Sequence, residues 1–141
     1  MITGIGTHIK VSHFETSRKF YSALGFTPVF SYGPYQTVKE DYNGVIFEHG
    51  NCKLEIADGH KAVKPEVFQE RIHSSKISLM INVETLQEIL DKAEQAGIAI
   101  TVPPRQYPWG TEELVIRDPD GVILVFIAPQ PAQAVQHRTK A

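Results

Sequence analysis

The side chains of this sequence with the capacity for chemistry are few and widely spaced. His8 stands in Gly6-Thr7-His8-Ile9-Lys10-Val11, and Glu55 in Lys53-Leu54-Glu55-Ile56-Ala57. An imidazole can exchange a proton near neutrality or ligate a metal, and a carboxylate can act as base or ligand. Each also has an ordinary use. His8 can be a polar strand residue hydrogen-bonded to Glu55 or water, and Glu55 can pair with Lys10 or Lys53. Such a pair, if exposed, is worth roughly 0–1 kcal/mol.

The sole tryptophan, Trp109, lies in Gln106-Tyr107-Pro108-Trp109-Gly110. Its indole either offers a flat face for stacking a ligand ring or anchors an irregular loop in a core or interface. Tyr32, Tyr35 and Tyr107 could extend an aromatic rim. Asp118-Pro119-Asp120-Gly121 lacks the ligand pattern and closing glutamate of a calcium loop, so it reads as a hairpin turn. Arg117 beside it is expected to pair a nearby carboxylate. Cys52, the one cysteine, cannot form an internal disulfide; its apolar run predicts a buried strand thiol.

The elements that must position these groups come from periodicity. Ile5, Thr7, Ile9 and Val11 alternate with Gly6, His8, Lys10 and Ser12, which predicts a strand. Phe14, Ser17, Tyr21 and Leu24 then repeat at helical spacing, and Gly25 sits where a left-handed residue ends a helix. His13 is a poor N-cap, leaving Ser12 or Thr16 as alternatives. Residues 26–32 read as a strand, and 45–48 with 53–57 as a hairpin.

The order then repeats over some 70 residues. A strand falls at 77–83. Thr85 and Glu88 form a capping box, opening a helix that Gly97 closes. A strand is expected at 98–102, and 114–117 with 122–127 form a hairpin. The result is one domain over 1–128, with modules at about 4–60 and 74–128. A linker spans 61–73, with a short helix from Lys64 to Ile72, and 129–141 is a polar, flexible tail.

Composition narrows the function classes. With 42% hydrophobic and 21% charged residues the chain is globular in composition, and a net charge of −2 with scattered Lys and Arg argues against nucleic acid. No apolar run reaches the roughly 20 residues of a membrane span. The start of the chain lacks the basic and apolar regions of a secretion signal, so the cytoplasm is the expected compartment.

Two stretches carry a family resemblance. His8-Ile9-Lys10-Val11, Ser17-Arg18-Lys19-Phe20-Tyr21 and Leu24-Gly25-Phe26 resemble the opening of the vicinal-oxygen-chelate superfamily. That group includes glyoxalase I, extradiol dioxygenases, and fosfomycin and bleomycin resistance proteins. Pro108-Trp109-Gly110 with Glu113 and Arg117-Asp118-Pro119-Asp120-Gly121 looks most like the bleomycin-resistance branch. Covering about residues 4–128, the resemblance implies an α+β fold. Two βαβββ modules would form a curled mixed sheet around a cavity, with a homodimer as the usual assembly.

In metal-dependent members each module supplies two ligands, on its first and last strands. Carried onto this chain, the positions are His8 and Glu55 in the first half, and Ser78 and Val125 in the second. Serine is a poor ligand and valine none. Glu48, His49, His60, His73 and Glu113 are further candidates that spacing does not bring beside His8. A catalytic divalent site wants at least three protein ligands, so no cofactor is expected; any divalent metal would rest on His8 and Glu55. Glyoxalase chemistry also lacks its carboxylate at Val125.

Strand parity groups His8, Lys10 and Glu55 on one cavity wall, and Ser78, Met80, Asn82, Ile123, Val125 and Ile127 on the other. The expected function is sequestration of a small organic ligand, bound by His8, Lys10, Glu55, Ser78, Met80, Trp109 and Val125. Two enzyme readings stand beside it. One is a metal-dependent lyase, isomerase or dioxygenase with a third ligand; the other is a metal-free isomerase or lyase with Glu55 as base.

Overall fold

The computed structural model describes residues 1, 3–33, 42–59, 66 and 77–131. Two compact units share the chain, residues 1–73 and 74–141. The expected linker helix, Tyr35, His60, His73 and the tail beyond residue 131 lie outside the described residues.

In the first unit, β1 (Thr7–Lys10) leads into α1 (Phe14–Ala23), then β2 (Pro28–Tyr32), β3 (Gly44–His49) and β4 (Cys52–Ala57). The sheet order is β1-β4-β3-β2, with β1 parallel to β4 and the other pairs antiparallel. Alternation along the strands decides which face is buried. Val45, Phe47, Leu54 and Ile56 point to the helix side with Val11, and α1 seals them with Tyr21 and Leu24. Tyr21 is the hub: its ring meets Phe20, Phe26 and Phe47 at centroid distances of 5.3, 5.3 and 6.0 Å.

His13 is the N-cap of α1 and makes no side-chain cap bond. On the same first turn the Arg18 guanidinium hydrogen-bonds Glu15 at 2.8 Å. That bond, aided by the charge, holds the Glu15 carboxyl below its ordinary range.

The second unit repeats the plan: β5 (Ser78–Asn82), α2 (Leu86–Ala96), β6 (Val102–Gln106), β7 (Thr111–Arg117) and β8 (Ile123–Pro129). Its order, β5-β8-β7-β6, places each strand as its counterpart is placed in the first sheet. Leu114, Ile116, Leu124, Phe126 and Ala128 are buried with Leu86, Ile89 and Ala93 of α2. The capping box forms as expected: Thr85 Oγ1 accepts from the Glu88 N–H at 3.3 Å, and Gly97 closes the helix at φ 69°. The chain is therefore α+β, with two four-stranded mixed sheets and a helix on each.

Three sequence expectations are corrected here. The strand read at 98–102 lies instead at Val102–Gln106. Ile98 is tied to the helix end through Ala93 O at 2.8 Å, so its apolar alternation with Ile100 belongs to the helix exit. The real strand contains Pro103 and Pro104, which a sheet tolerates only where N–H groups are not needed; β6 is the edge strand. Cys52 is exposed, because it pairs with His49 at the mouth of the Gly50-Asn51 turn, beyond the core. Finally, β8 runs through Pro129 and Gln130 is 5% exposed, so ordered structure continues past residue 128.

Candidate functional site

Parallel pairing of β1 with β4 sets His8 directly beside Glu55. On the face away from α1 their side chains meet, with Nε2–Oε2 at 3.6 Å and side-chain exposures of 22% and 32%. Glu55 also opposes Ile46 on β3, and Ile46 opposes Phe30 on β2. One rung across the sheet thus reads His8, Glu55, Ile46, Phe30: a polar pair grading into apolar surface. The next rung reads Lys10, Ala57, Gly44, Tyr32. The Tyr32 ring occupies the space over Gly44 that a Cβ would fill, so the glycine seats an aromatic side chain.

Neither lysine proposed for Glu55 pairs with it. Lys53 is taken by Glu48 at 3.1 Å, since both sit at the hairpin end in direct register. Among the described residues Lys10 and Arg117 make no ion pair within 4.0 Å, so the carboxylate expected for Arg117 is not found. Lys10 keeps its place on the His8 face.

In the second unit, β5 pairs with β8 so that Ser78 opposes Ile123, Met80 opposes Val125 and Asn82 opposes Ile127. All six therefore share the face away from α2, as strand parity predicts. The register changes one equivalence, however. The Val11 N–H bonds Ala57 O at 2.8 Å, and the Val83 N–H bonds Ile127 O at 2.9 Å. Matching those two bonds equates His8 with Met80 and Glu55 with Val125. Met80 also stands as far before Gly97 as His8 stands before Gly25. Ser78 is thus one rung away from the position assigned to it. The pair answering His8–Glu55 is a thioether beside an isopropyl group, Met80 being 69% exposed.

This face is not wholly apolar. Glu113 lies across from Ile127 on β7, half-buried, with Thr111 Oγ1 at 3.4 Å from its Oε2. Asp118-Pro119-Asp120-Gly121 is the expected turn: Asp118 Oδ1 accepts from the N–H groups of Asp120 and Val122 at 2.9 and 2.8 Å, and Gly121 takes φ 88°. His49 is engaged elsewhere, its Nε2 accepting from the Thr27 N–H at 3.1 Å. Among the described residues no three His, Cys, Asp or Glu side chains gather as a metal site requires. Among the described residues, His8 and Glu55 are thus two donors where a catalytic divalent site takes at least three.

Trp109 sits in the turn joining β6 to β7, where Gly110 at φ 97° permits the reversal. Its ring lies 69% exposed and stacks on Tyr107 with centroids 4.9 Å apart and planes 15° apart. Thr111 pairs with Pro129, so the ring pair stands at the end of the open face beyond Asn82 and Ile127, about 13 Å along β8 from Val125.

The sequence reading missed Gln130. Its backbone N–H bonds Gly110 O at 2.9 Å, and its Nε2 donates to Tyr107 O and Thr111 O at 2.8 and 2.9 Å. The signal was available, since Gln130 continues the inward parity of Leu124, Phe126 and Ala128. Its polar type hid it.

Comparison with known proteins follows the same lines. Several solved structures match nearly the whole chain. The fosfomycin resistance protein FosX from Listeria monocytogenes, complexed with Mn(II) and sulfate, has 14% identity and a TM-score of 0.63, covering 96% of this chain and 99% of its own. FosX from Mesorhizobium loti has 14% identity and a TM-score of 0.64 over 96% and 99%. The bleomycin resistance determinant encoded on transposon Tn5 has 22% identity and a TM-score of 0.61 over 92% and 100%. At such identities these likenesses bear on the fold alone. No curated protein sequence matches. A family model matches residues 6–126, and on that match and this fold the chain belongs to the glyoxalase/bleomycin resistance protein/dioxygenase superfamily.

Proposed function

We propose that this chain is a small-molecule binding protein of the superfamily, sequestering an organic ligand with planar and apolar parts rather than transforming it. The observation that carries the reading is the exposed Trp109 ring, stacked on Tyr107 and held in a hydrogen-bonded turn. An indole left 69% exposed keeps most of its surface in water, whereas a planar ligand laid on it would gain stacking of about 0.5–1.5 kcal/mol plus buried area. On the open face of the first unit, His8, Lys10 and Glu55 would supply hydrogen bonds and charge. On that of the second, Ser78, Met80 and Val125 would supply adaptable and mostly apolar contact. Homodimeric assembly and cytoplasmic residence belong to the same reading. Among the described residues no helix is long and apolar enough to cross a membrane.

The His8–Glu55 contact at 3.6 Å favours a second reading: a metal-dependent lyase, isomerase or dioxygenase that recruits a third ligand. One experiment addresses the first reading directly. Native mass spectrometry of gently purified protein is expected to show a bound organic molecule. Its retention should fall about three- to tenfold in Trp109→Ala. Equal retention by both proteins would remove Trp109 from the binding surface.

A further inference from the structure

We propose that Gln130 is the positioning residue that fixes the Tyr107–Trp109 ring pair as a preformed platform. Three observations support this. Its side chain is buried, yet its Nε2 spends both N–H groups on backbone carbonyls of one loop, at Tyr107 and Thr111. Its backbone N–H holds a third carbonyl, Gly110, between them. Those three carbonyls bracket Trp109 on both sides, so loop position and ring position are fixed together.

The fourth group of Gln130 sharpens the point. Oε1 is buried and accepts no hydrogen bond among the described residues. Burying an unpaired carbonyl is unfavourable, and an apolar side chain of the same length would avoid it. What an apolar side chain cannot do is donate twice. Within the loop, the Tyr107 N–H bonds Thr111 O at 2.9 Å and the Gly110 N–H bonds Tyr107 O at 3.1 Å. With the Gln130 donors removed, the Tyr107 and Thr111 carbonyls each lose one of two donors, leaving only the weaker hold of the loop on itself, and the turn can open toward water. The ring pair would then sample many orientations, and a ligand would have to order it on binding.

The clamp itself stands on geometry; its consequence for binding rests on the stacking role of Trp109 proposed above. The two are separable because Trp109 is the sole tryptophan. The probe variants are Gln130→Met, which keeps length and volume without donors, and Gln130→Glu, whose carboxylate has no N–H to give. Near-ultraviolet circular dichroism then reads the order of one indole, with Trp109→Phe assigning its band. Far-ultraviolet spectra confirm the fold.

In both variants the tryptophan band should fall below about half of its wild-type intensity while the fold is kept. Affinity for acridine, a planar probe followed by quenching of Trp109 fluorescence, should weaken about fivefold. A residue serving only stability would lower the melting temperature and leave the band of the folded protein unchanged. That outcome would overturn the proposal. If neither variant folds, the wild-type protein decides by NMR. Slow exchange of the Gln130 side-chain amide protons supports the clamp, and exchange as fast as in an exposed glutamine overturns it. Failure of acridine to bind the wild type would count against the stacking role of Trp109, while the dichroism would still decide the clamp.

Discussion

Replacing Phe126 with alanine is expected to destabilise the protein by about 3–5 kcal/mol, measured by urea or thermal unfolding. Phe126 is fully buried, on the strand that pairs with both β5 and β7. Its removal leaves a cavity among Leu114, Ile116, Leu124 and the apolar face of α2, all on regular elements that close little. Domain stability is typically about 5–15 kcal/mol, so the loss is a large fraction of the whole. The consequence reaches the open face. Val125 and Ile127 flank Phe126 in the chain and point the other way, so their placement depends on the residue packed between them. A loss under about 1 kcal/mol would mean that Phe126 is not packed in the core of its unit.

The first unit has its counterpart in Tyr21→Ala, for which about 3–5 kcal/mol is again expected. Tyr21 is fully buried among three other aromatic rings, and edge contacts with Phe20 and Phe26 add to the area term. The cluster lies under Phe47, and the strand carrying Phe47 aligns Ile46 with Glu55. Loosening it should therefore weaken the His8–Glu55 contact as well as the fold. Urea unfolding followed by circular dichroism gives the first effect. The shift of the His8 ring resonances by NMR, toward those of a free imidazole, gives the second.

Much of this architecture was legible from local rules. The alternation around His8, the Thr85–Glu88 box, Gly97 at the helix end and the Asp118 turn all depend on neighbours in sequence, and all formed as expected. What escaped depends on partners far along the chain. Ile98 and Ile100 alternate like a strand, but only the pairing of Val102 with Val115 reveals where β6 lies. Cys52 sits in an apolar run and is exposed because the hairpin ends there.

The candidate site shows the same division. Which residues share a face followed from a period of two. Which residues stand opposite each other did not, because register is fixed by cross-strand hydrogen bonds. Hence Ser78 was placed where Met80 stands. Gln130 was assigned to the tail because a glutamine in a polar stretch gives no sign of the carbonyls it serves.

The register sets the two units apart chemically. The first unit keeps a histidine–glutamate pair, and the matching positions of the second hold methionine and valine. On that contrast rests the proposal of ligand binding without a resident catalytic metal. Elemental analysis of protein purified without chelators tests it most directly. Far less than one equivalent of Mn, Fe, Ni or Zn per chain is expected, unchanged in His8→Ala. About one equivalent, lost in both His8→Ala and Glu55→Ala, would contradict it.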